Sequence, residues 1–364
     1  MKKLLITTAA LASLWLLPTA CGNDDDGTTP PPTDPDSPEA PIEGYSLYWA
    51  EEFDSDELNP LNWNVETGVA ANQELQYYTD RSENLRVEDD CLVIEARKEP
   101  MENREYTSAR INTQGKVQIK YGYIEARIWL PAGQGTWPAF WMMGTGASSW
   151  PRCGEIDIME HVGKTPGQVT HALHTQNANG NNGRNWNAST ALAEAEGSWN
   201  TYGLLWEQES DDEYGCISFY VNGERSAWKY QPRNADMAEW PFDNYFYVIL
   251  NLAIGGTMGG QVDDAIFDNE VIMKVDYVRM WTPNTHPDTQ TPTSRKQHVP
   301  TQTLHLPDGD PRMVADAVAR SRLVQRRRSV RRATCSPDHD AHGQFHRDRP
   351  VRNLLELRQR SRLI

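Results

Sequence analysis

The chain has 364 residues, including 13 Trp and 14 Tyr, and a formal net charge of −16. That charge is unevenly divided: residues 1–283 hold 19 Lys+Arg against 43 Asp+Glu, and residues 284–364 hold 16 against 8. The acidic body lacks the clustered cations that would grip nucleic acid or a polyanionic polymer, which argues against both classes of partner for it.

In chain order, Met1-Lys-Lys3 followed by the apolar run Leu4 to Leu17 has the form of a signal peptide, too short to span a bilayer. Leu17-Pro-Thr-Ala-Cys21 resembles a lipobox, with Pro18 where Leu is usual, and Gly22-Asn-Asp-Asp-Asp26 is similar to the acidic export signal of surface-exposed bacterial lipoproteins. The expectation is a signal peptide over 1–20, lipidation at Cys21, and a stiff Pro-rich tether over 21–42. The membrane is then met only through the lipid anchor, at the outer face of an outer membrane.

Residues 43–283 read as one all-β domain. Strands are expected at Leu92 to Arg97, Gly115 to Leu130, Thr170 to His174, Tyr202 to Trp206, Ile217 to Val221, Tyr245 to Ile254 and Met273 to Trp281, separated by Gly, Asn and Pro clusters. Asn222-Gly223 predicts a type I′ hairpin. One helix-like stretch lies at Ala191 to Glu196. Two antiparallel sheets packed as a jelly-roll β-sandwich, one of them curved into a concave substrate cleft, fit this pattern. Cys91, Cys153 and Cys216 have neither the number nor the spacing of a disulfide set or zinc site, and Cys153 reads as a small buried residue.

Beyond Trp281-Thr-Pro283 the composition changes abruptly, with Arg326-Arg-Arg328 and Arg331-Arg332 and no Trp or Tyr. The 284–364 tail reads as a basic arm for an anionic surface, an unstructured segment, or the product of a frameshift; the sharp onset favours the last.

Three carboxylates fall in Glu155-Ile-Asp-Ile-Met-Glu160, a stretch otherwise reading as a buried strand. Period-2 alternation puts Glu155 and Asp157 on one face but assigns Met159, not Glu160, to it. A β-bulge at Met159 or its neighbour would reset the alternation and return Glu160 to that face. The outer glutamates would then sit roughly 13 Å apart at Cα, and converging side chains of ~4 Å each would leave the carboxyls on the order of 5 Å apart. That gap suits a retaining glycosidase, and crowding splits the pKa values so that one acid keeps a proton near neutrality. The flanking Gly154, Ile156, Ile158 and Val162, and the run Gly135 to Met143, are too apolar for a solvated edge.

Gly154 to Glu160 with Trp137-Pro-Ala-Phe-Trp-Met142 resembles glycoside hydrolase family 16, in particular its laminarinase-like β-1,3-glucanases. The resemblance extends over about 45–282, through Trp49-Ala-Glu-Glu-Phe-Asp54, Asn72-Gln-Glu-Leu-Gln-Tyr-Tyr-Thr79, Thr107-Ser-Ala-Arg-Ile111, Tyr123-Ile-Glu-Ala-Arg127, Asn251-Leu-Ala-Ile-Gly-Gly256 and Val275-Asp-Tyr-Val-Arg279. It implies Glu155 as nucleophile, Glu160 as acid/base and Asp157 as the residue orienting the nucleophile, without a catalytic cofactor. It also implies sugar stacking on Trp137 and Trp141, and less firmly on Trp150, with Asn72 and Arg110 in the donor subsites and His174 on the acceptor side. A structural Ca²⁺ held by Glu52 and Asp276 is implied as well. The bulged six-residue motif is similar to that of laminarinases, agarases and carrageenases, whereas lichenases carry the five-residue form. Departures are Met258, where an aromatic is common, and Asp268, where Pro is frequent.

The implied partner is a neutral β-glucan, cut at β-1,3 linkages of laminarin-type or mixed-linkage chains by a monomer. The alternatives are an agarase- or porphyranase-like hydrolase, or a surface glycan-binding protein on the same scaffold. A binding protein has no need to bury three acids together. A metal reading of His161, His171 and His174 is weak, because His171-x-x-His174 straddles both faces of a strand.

Overall fold

The computed structural model describes residues 38–208 and 214–284. The signal peptide, Cys21, most of the tether and all but the first residue of the basic tail lie outside the described residues.

Two antiparallel sheets form the body. One runs Trp186–Ala191, Gln168–His174, Glu155–Glu160, Thr136–Gly144, Phe246–Ile254, Arg110–Asn112, Asn64–Glu66. The other runs Glu224–Tyr230, Cys216–Val221, Trp199–Glu207, Gly122–Trp129, Val271–Pro283, Cys91–Ala96, Leu85–Glu88, with Tyr45–Glu51 also paired to Val271–Pro283. A small third sheet joins Gly68–Val69, Gln76–Tyr78 and Tyr106–Ser108. This is the expected jelly-roll sandwich.

Alternation explains the layering. Along Gly122–Trp129 the inward residues Ile124, Ala126 and Ile128 are buried while Glu125, Arg127 and Trp129 are only partly so. They meet Phe140, Met142, Ile156 and Phe246 from the facing sheet in one apolar core. Phe246–Ile254, central in its sheet, is buried throughout. A second cluster of Tyr123, Leu205, Tyr220 and Trp281 lies outside that core and is packed by Ala40, Ile42, Tyr45 and Leu47.

The hairpin at Asn222-Gly223 has the expected turn, with φ of 50° and 78°. Other expectations need correction. Ala191 ends a strand and 192–198 is turn and extended chain, not helix; six residues are too few to nucleate one, and the Leu192 N–H is taken by Gly167 O. The strand expected from Gly115 begins only at Gly122, because Lys116 and Val117 turn back to hydrogen-bond Thr113 O. Gly122 has φ of 133°, and a Cβ there would lie 2.3 Å from Trp281 O. Thr136–Gly144 is a central strand although Pro138 interrupts it, and Pro138 still accepts from His161 N–H at 3.2 Å.

Candidate active site

The catalytic motif does contain a bulge. Against Thr136–Gly144 the register steps from Met159 opposite Phe140 to Asp157 opposite Trp141, which leaves Ile158 unmatched. Against Gln168–His174 it steps from Glu160 opposite Thr170 to Asp157 opposite Ala172, so Ile158 and Met159 together face His171. Both bulge side chains are fully buried. Glu155, Asp157 and Glu160 thereby share the open face with their cross-strand partners His174, Ala172 and Thr170, and with Met143, Trp141 and Ala139 on the other side.

The cluster is crowded and poorly solvated. Burial, then the neighbouring Asp157, raises Glu155 from an ordinary 4.5 to about 8, opposed by His174 and Arg110. Burial and Glu160 push Asp157 well above the usual range, and Asp157 Oδ2 has no hydrogen-bond partner. Burial also raises Glu160, while the Trp137 Nε1–H donated to its Oε1 at 3.0 Å draws it down. His174 Nε2 stands 3.2 Å from Asp157 Oδ2 and 3.5 Å from Glu155 Oε1. Three like charges cannot all form at neutral pH, so the cluster retains a proton and can offer an acid beside a base. Trp137→Phe keeps an aromatic side chain, though a smaller one, and removes the donor, so Glu160 should titrate higher; the basic limb of the kcat/KM profile is expected to move to higher pH, and an unmoved limb would count against this reading.

Comparison with known proteins agrees with this geometry. The profile of glycosyl hydrolases family 16 matches residues 72–279. The chain belongs to glycosyl hydrolase family 16. It is 38% identical to a beta-glucanase of Rhodothermus marinus over 77% of this chain and 96% of that protein. It is 36% identical to a glucan endo-1,3-beta-glucosidase of Cryptopygus antarcticus, over 66% of this chain and 93% of the other. Among solved structures, the laminarinase of Flavobacterium sp. UMI-01 superposes with a TM-score of 0.59 at 40% identity, covering 65% of this chain and all of that one.

The cleft walls of this family 16 enzyme follow from the same register. Glu66, Arg110, Asn251, Ala139 and Glu160 form one row across five strands. Arg110 lies 3.2 Å from Glu66 and 4.8 Å over the Trp141 ring, and it lowers Glu155 through space. Trp141 Nε1–H donates to Asn251 Oδ1 at 2.8 Å, and Asn251 Nδ2–H donates to Tyr78 Oη at 3.2 Å. Tyr78 and Gln76 both donate to Glu74, a carboxylate only 5% exposed. This chain of hydrogen bonds thus locks the Trp141 ring through a buried polar network.

Asn72 sits at φ of 60° in a turn whose carbonyl accepts from Thr257 N–H at 2.8 Å. Gly256 lies between this turn and Trp137: a Cβ there would be 2.9 Å from Asn72 O and 3.3 Å from the Trp137 ring. Trp137 also packs with Val162, Ala253 and Met258, so Met258 fills part of a cleft wall. Trp150 lies 6.1 Å from the His174 ring. The structure therefore gathers Trp137, Trp141, Arg110 and His174 around the acids, with Asn72 beside Trp137.

Asn251, Glu74, Gln76 and Tyr78 join the site without standing out individually in the sequence. Asn251 had a signal, as the one polar side chain in an otherwise apolar nine-residue strand.

The three histidines do not converge. His161 bonds Gln168 O at 2.8 Å and Glu196 Oε1 at 2.9 Å, and His171 points into the core, leaving His174 on the open face. Donor atoms of Glu155, Asp157 and His174 lie within 4.8 Å of one another, but family 16 hydrolysis requires no cofactor. The calcium expected at Glu52 and Asp276 does not fit these residues: Arg279 grips both oxygens of Glu52 at 2.8 Å, and Arg127 pairs with Asp276 at 2.8 Å. Two guanidinium groups already neutralise the carboxylates that the ion would need. A separate open depression of about 1150 Å³, lined by Arg97, Lys98, Asp264 and Phe267 among others, shares no residue with the acids, and its Lys98 and Asp264 pair at 2.6 Å.

Proposed function

We propose that this protein is a retaining endo-glycosidase that hydrolyses β-1,3 linkages of laminarin-type or mixed-linkage β-glucans. The observation that carries it is the bulge bringing Glu155, Asp157 and Glu160 to one poorly solvated face. The naming of its relatives as a beta-glucanase, an endo-1,3-beta-glucosidase and a laminarinase supports the substrate class. The acidic body adds support, since its excess of Asp and Glu over Lys and Arg favours a neutral polymer over a sulfated one.

In the reaction, the Glu155 carboxylate attacks the anomeric carbon while protonated Glu160 gives its proton to the departing glycosidic oxygen. A glycosyl ester on Glu155 results. Glu160, now ionised, takes a proton from water, whose oxygen displaces Glu155 and restores both groups with net retention. Asp157 lies between them, raised above its ordinary range by burial and by Glu160, and it is the residue that orients the Glu155 nucleophile. Trp137 and Trp141 present ring faces to the pyranoses, with Arg110 and Asn72 on the donor side and His174 on the acceptor side.

The substrate test is a panel of laminarin, lichenan, agarose and carrageenan scored by reducing-sugar release. Laminarin is expected to be cut fastest and carrageenan not at all; preferential cleavage of agarose would replace the substrate proposal with the agarase reading. We further propose that the enzyme is a monomer held at the outer-membrane surface by a lipid on Cys21, a reading supported by the basic and apolar leader and the acidic stretch after the cysteine. Cys21→Ser is expected to move the protein from the membrane fraction to the soluble one, and an unchanged distribution would remove the anchor.

A further inference from the structure

The residue that turns Glu160 toward the cleft has no partner of its own in either register. Ile158 is unmatched against both neighbouring strands, and an extra residue of this kind leaves backbone groups outside the ladder. Its carbonyl is met by a side chain instead: His171 Nδ1 lies 2.7 Å from Ile158 O. His171 stands opposite the bulge, is fully buried, and stacks on Phe219 with centroids 4.9 Å apart.

The proton positions follow from chemistry. A carbonyl can only accept, so Nδ1 carries the hydrogen; burial lowers the ring's pKa and keeps it neutral, so Nε2 is an acceptor. Nε2 lies 3.0 Å from Ser226 Oγ and 3.1 Å from Thr190 Oγ1; the Ser226 hydroxyl donates to Phe219 O at 3.1 Å, which leaves Thr190 Oγ1–H to donate to Nε2. Ser226 is itself the extra residue of a second bulge, where Phe219 and Tyr220 face Ala227 and Arg225. The ring therefore reaches through the core from the bulge of one sheet to the side of Ser226 in the bulge of the other.

We propose that His171 is a positioning residue for Glu160: its Nδ1–H on the Ile158 carbonyl fixes the bulge that aims the acid/base carboxylate. This rests on the reading of Glu160 as the acid that protonates the leaving oxygen. A mis-aimed acid hurts substrates in proportion to how much their leaving group needs a proton, whereas general loss of structure does not.

The experiment measures kcat/KM, which reports the first displacement, on laminarin and on dinitrophenyl glycosides of a β-1,3-gluco-oligosaccharide. His171→Leu removes the donor. His171→Gln moves it out of reach of the carbonyl, and His171→Asn restores an N–H near the Nδ1 position. We expect Leu and Gln to lose about 10²-fold on laminarin but only about threefold on the dinitrophenyl substrate, and Asn to stay within about fivefold of wild type on both. If Leu does not fold, the Asn and Gln pair carries the comparison, with circular dichroism confirming that both are native. Equal losses on the two substrates, or Asn no better than Gln, would overturn the proposal. Glu160→Ala is run alongside. If it shows no dependence on the leaving group, the acid/base assignment itself fails; if it does and the His171 variants do not, only this inference falls.

Discussion

Glu155→Gln is expected to lower reducing-sugar release from laminarin by about 10⁴-fold or more while making the protein more stable at pH 8. On the proposed mechanism the first effect follows from removing the atom that would form the glycosyl ester, for which an amide oxygen is no substitute. The second follows from where the carboxylate sits. Its pKa is 4.5 when unfolded and about 8 in the native cluster, so between those values the folded state binds more protons. Stability linked to this group is whole below pH 4.5 and is lost as pH rises through about 8, because each ionisation is worse in the cluster than in water. Glutamine has no charge to bury. The variant should gain ~1–4 kcal/mol at pH 8 and almost nothing at pH 4. Melting curves at the two pH values check this; a gain equal at both would mean that charge burial is not its source. Activity equal to wild type would remove the nucleophile assignment altogether.

The largest loss of stability is expected at Phe246. Its ring is fully buried, packs edge-on against Trp206 at 5.3 Å, and lies 5.9 Å from Phe242. It also props the start of the catalytic strand: Gly154 takes φ of 81°, and a Cβ there would approach Phe246 Cζ to 3.1 Å. Phe246→Ala leaves a cavity that two close-packed sheets cannot collapse around, and should cost about 3–5 kcal/mol, lowering the melting temperature by on the order of 10 °C. Activity should fall below the melting range too, since the backbone leading into Glu155 loses its support. A loss under about 1 kcal/mol in urea, at unchanged m-value, would show that the core relaxes into the gap.

What could be read from the sequence was whatever depends on local alternation. Three acids out of phase by one residue announced the bulge, because a regular strand would bury Glu160. The Asn-Gly hairpin and the aromatic-rich strands were legible for the same reason. What could not be read were pairings made across the fold. Glu52 meets Arg279 over 227 residues and Asp276 meets Arg127 over 149, and nothing near either acid in sequence shows that a guanidinium has claimed it. Thr136–Gly144 is hard to read as a strand because Pro138 is a poor strand residue by itself; in the sheet its carbonyl still accepts from His161 N–H. His171 could be placed on the core side of its strand, but its acceptor is a backbone oxygen, which carries no letter in the sequence.

The bulge also makes the number of residues between Asp157 and Glu160 an odd-or-even switch. Loss of Ile158 or Met159 would leave Glu-x-Asp-x-Glu, in which plain alternation still points all three acids outward. Gain of one residue would give Asp-x-x-x-Glu, in which plain alternation also points the last glutamate outward but sets the outer glutamates roughly 20 Å apart at Cα, against roughly 13 Å with the bulge. Shortening here is therefore a route by which a descendant could straighten the strand and keep its chemistry, while releasing His171 from its task; lengthening straightens it too, but draws the two outer carboxyls too far apart to share one glycosidic bond.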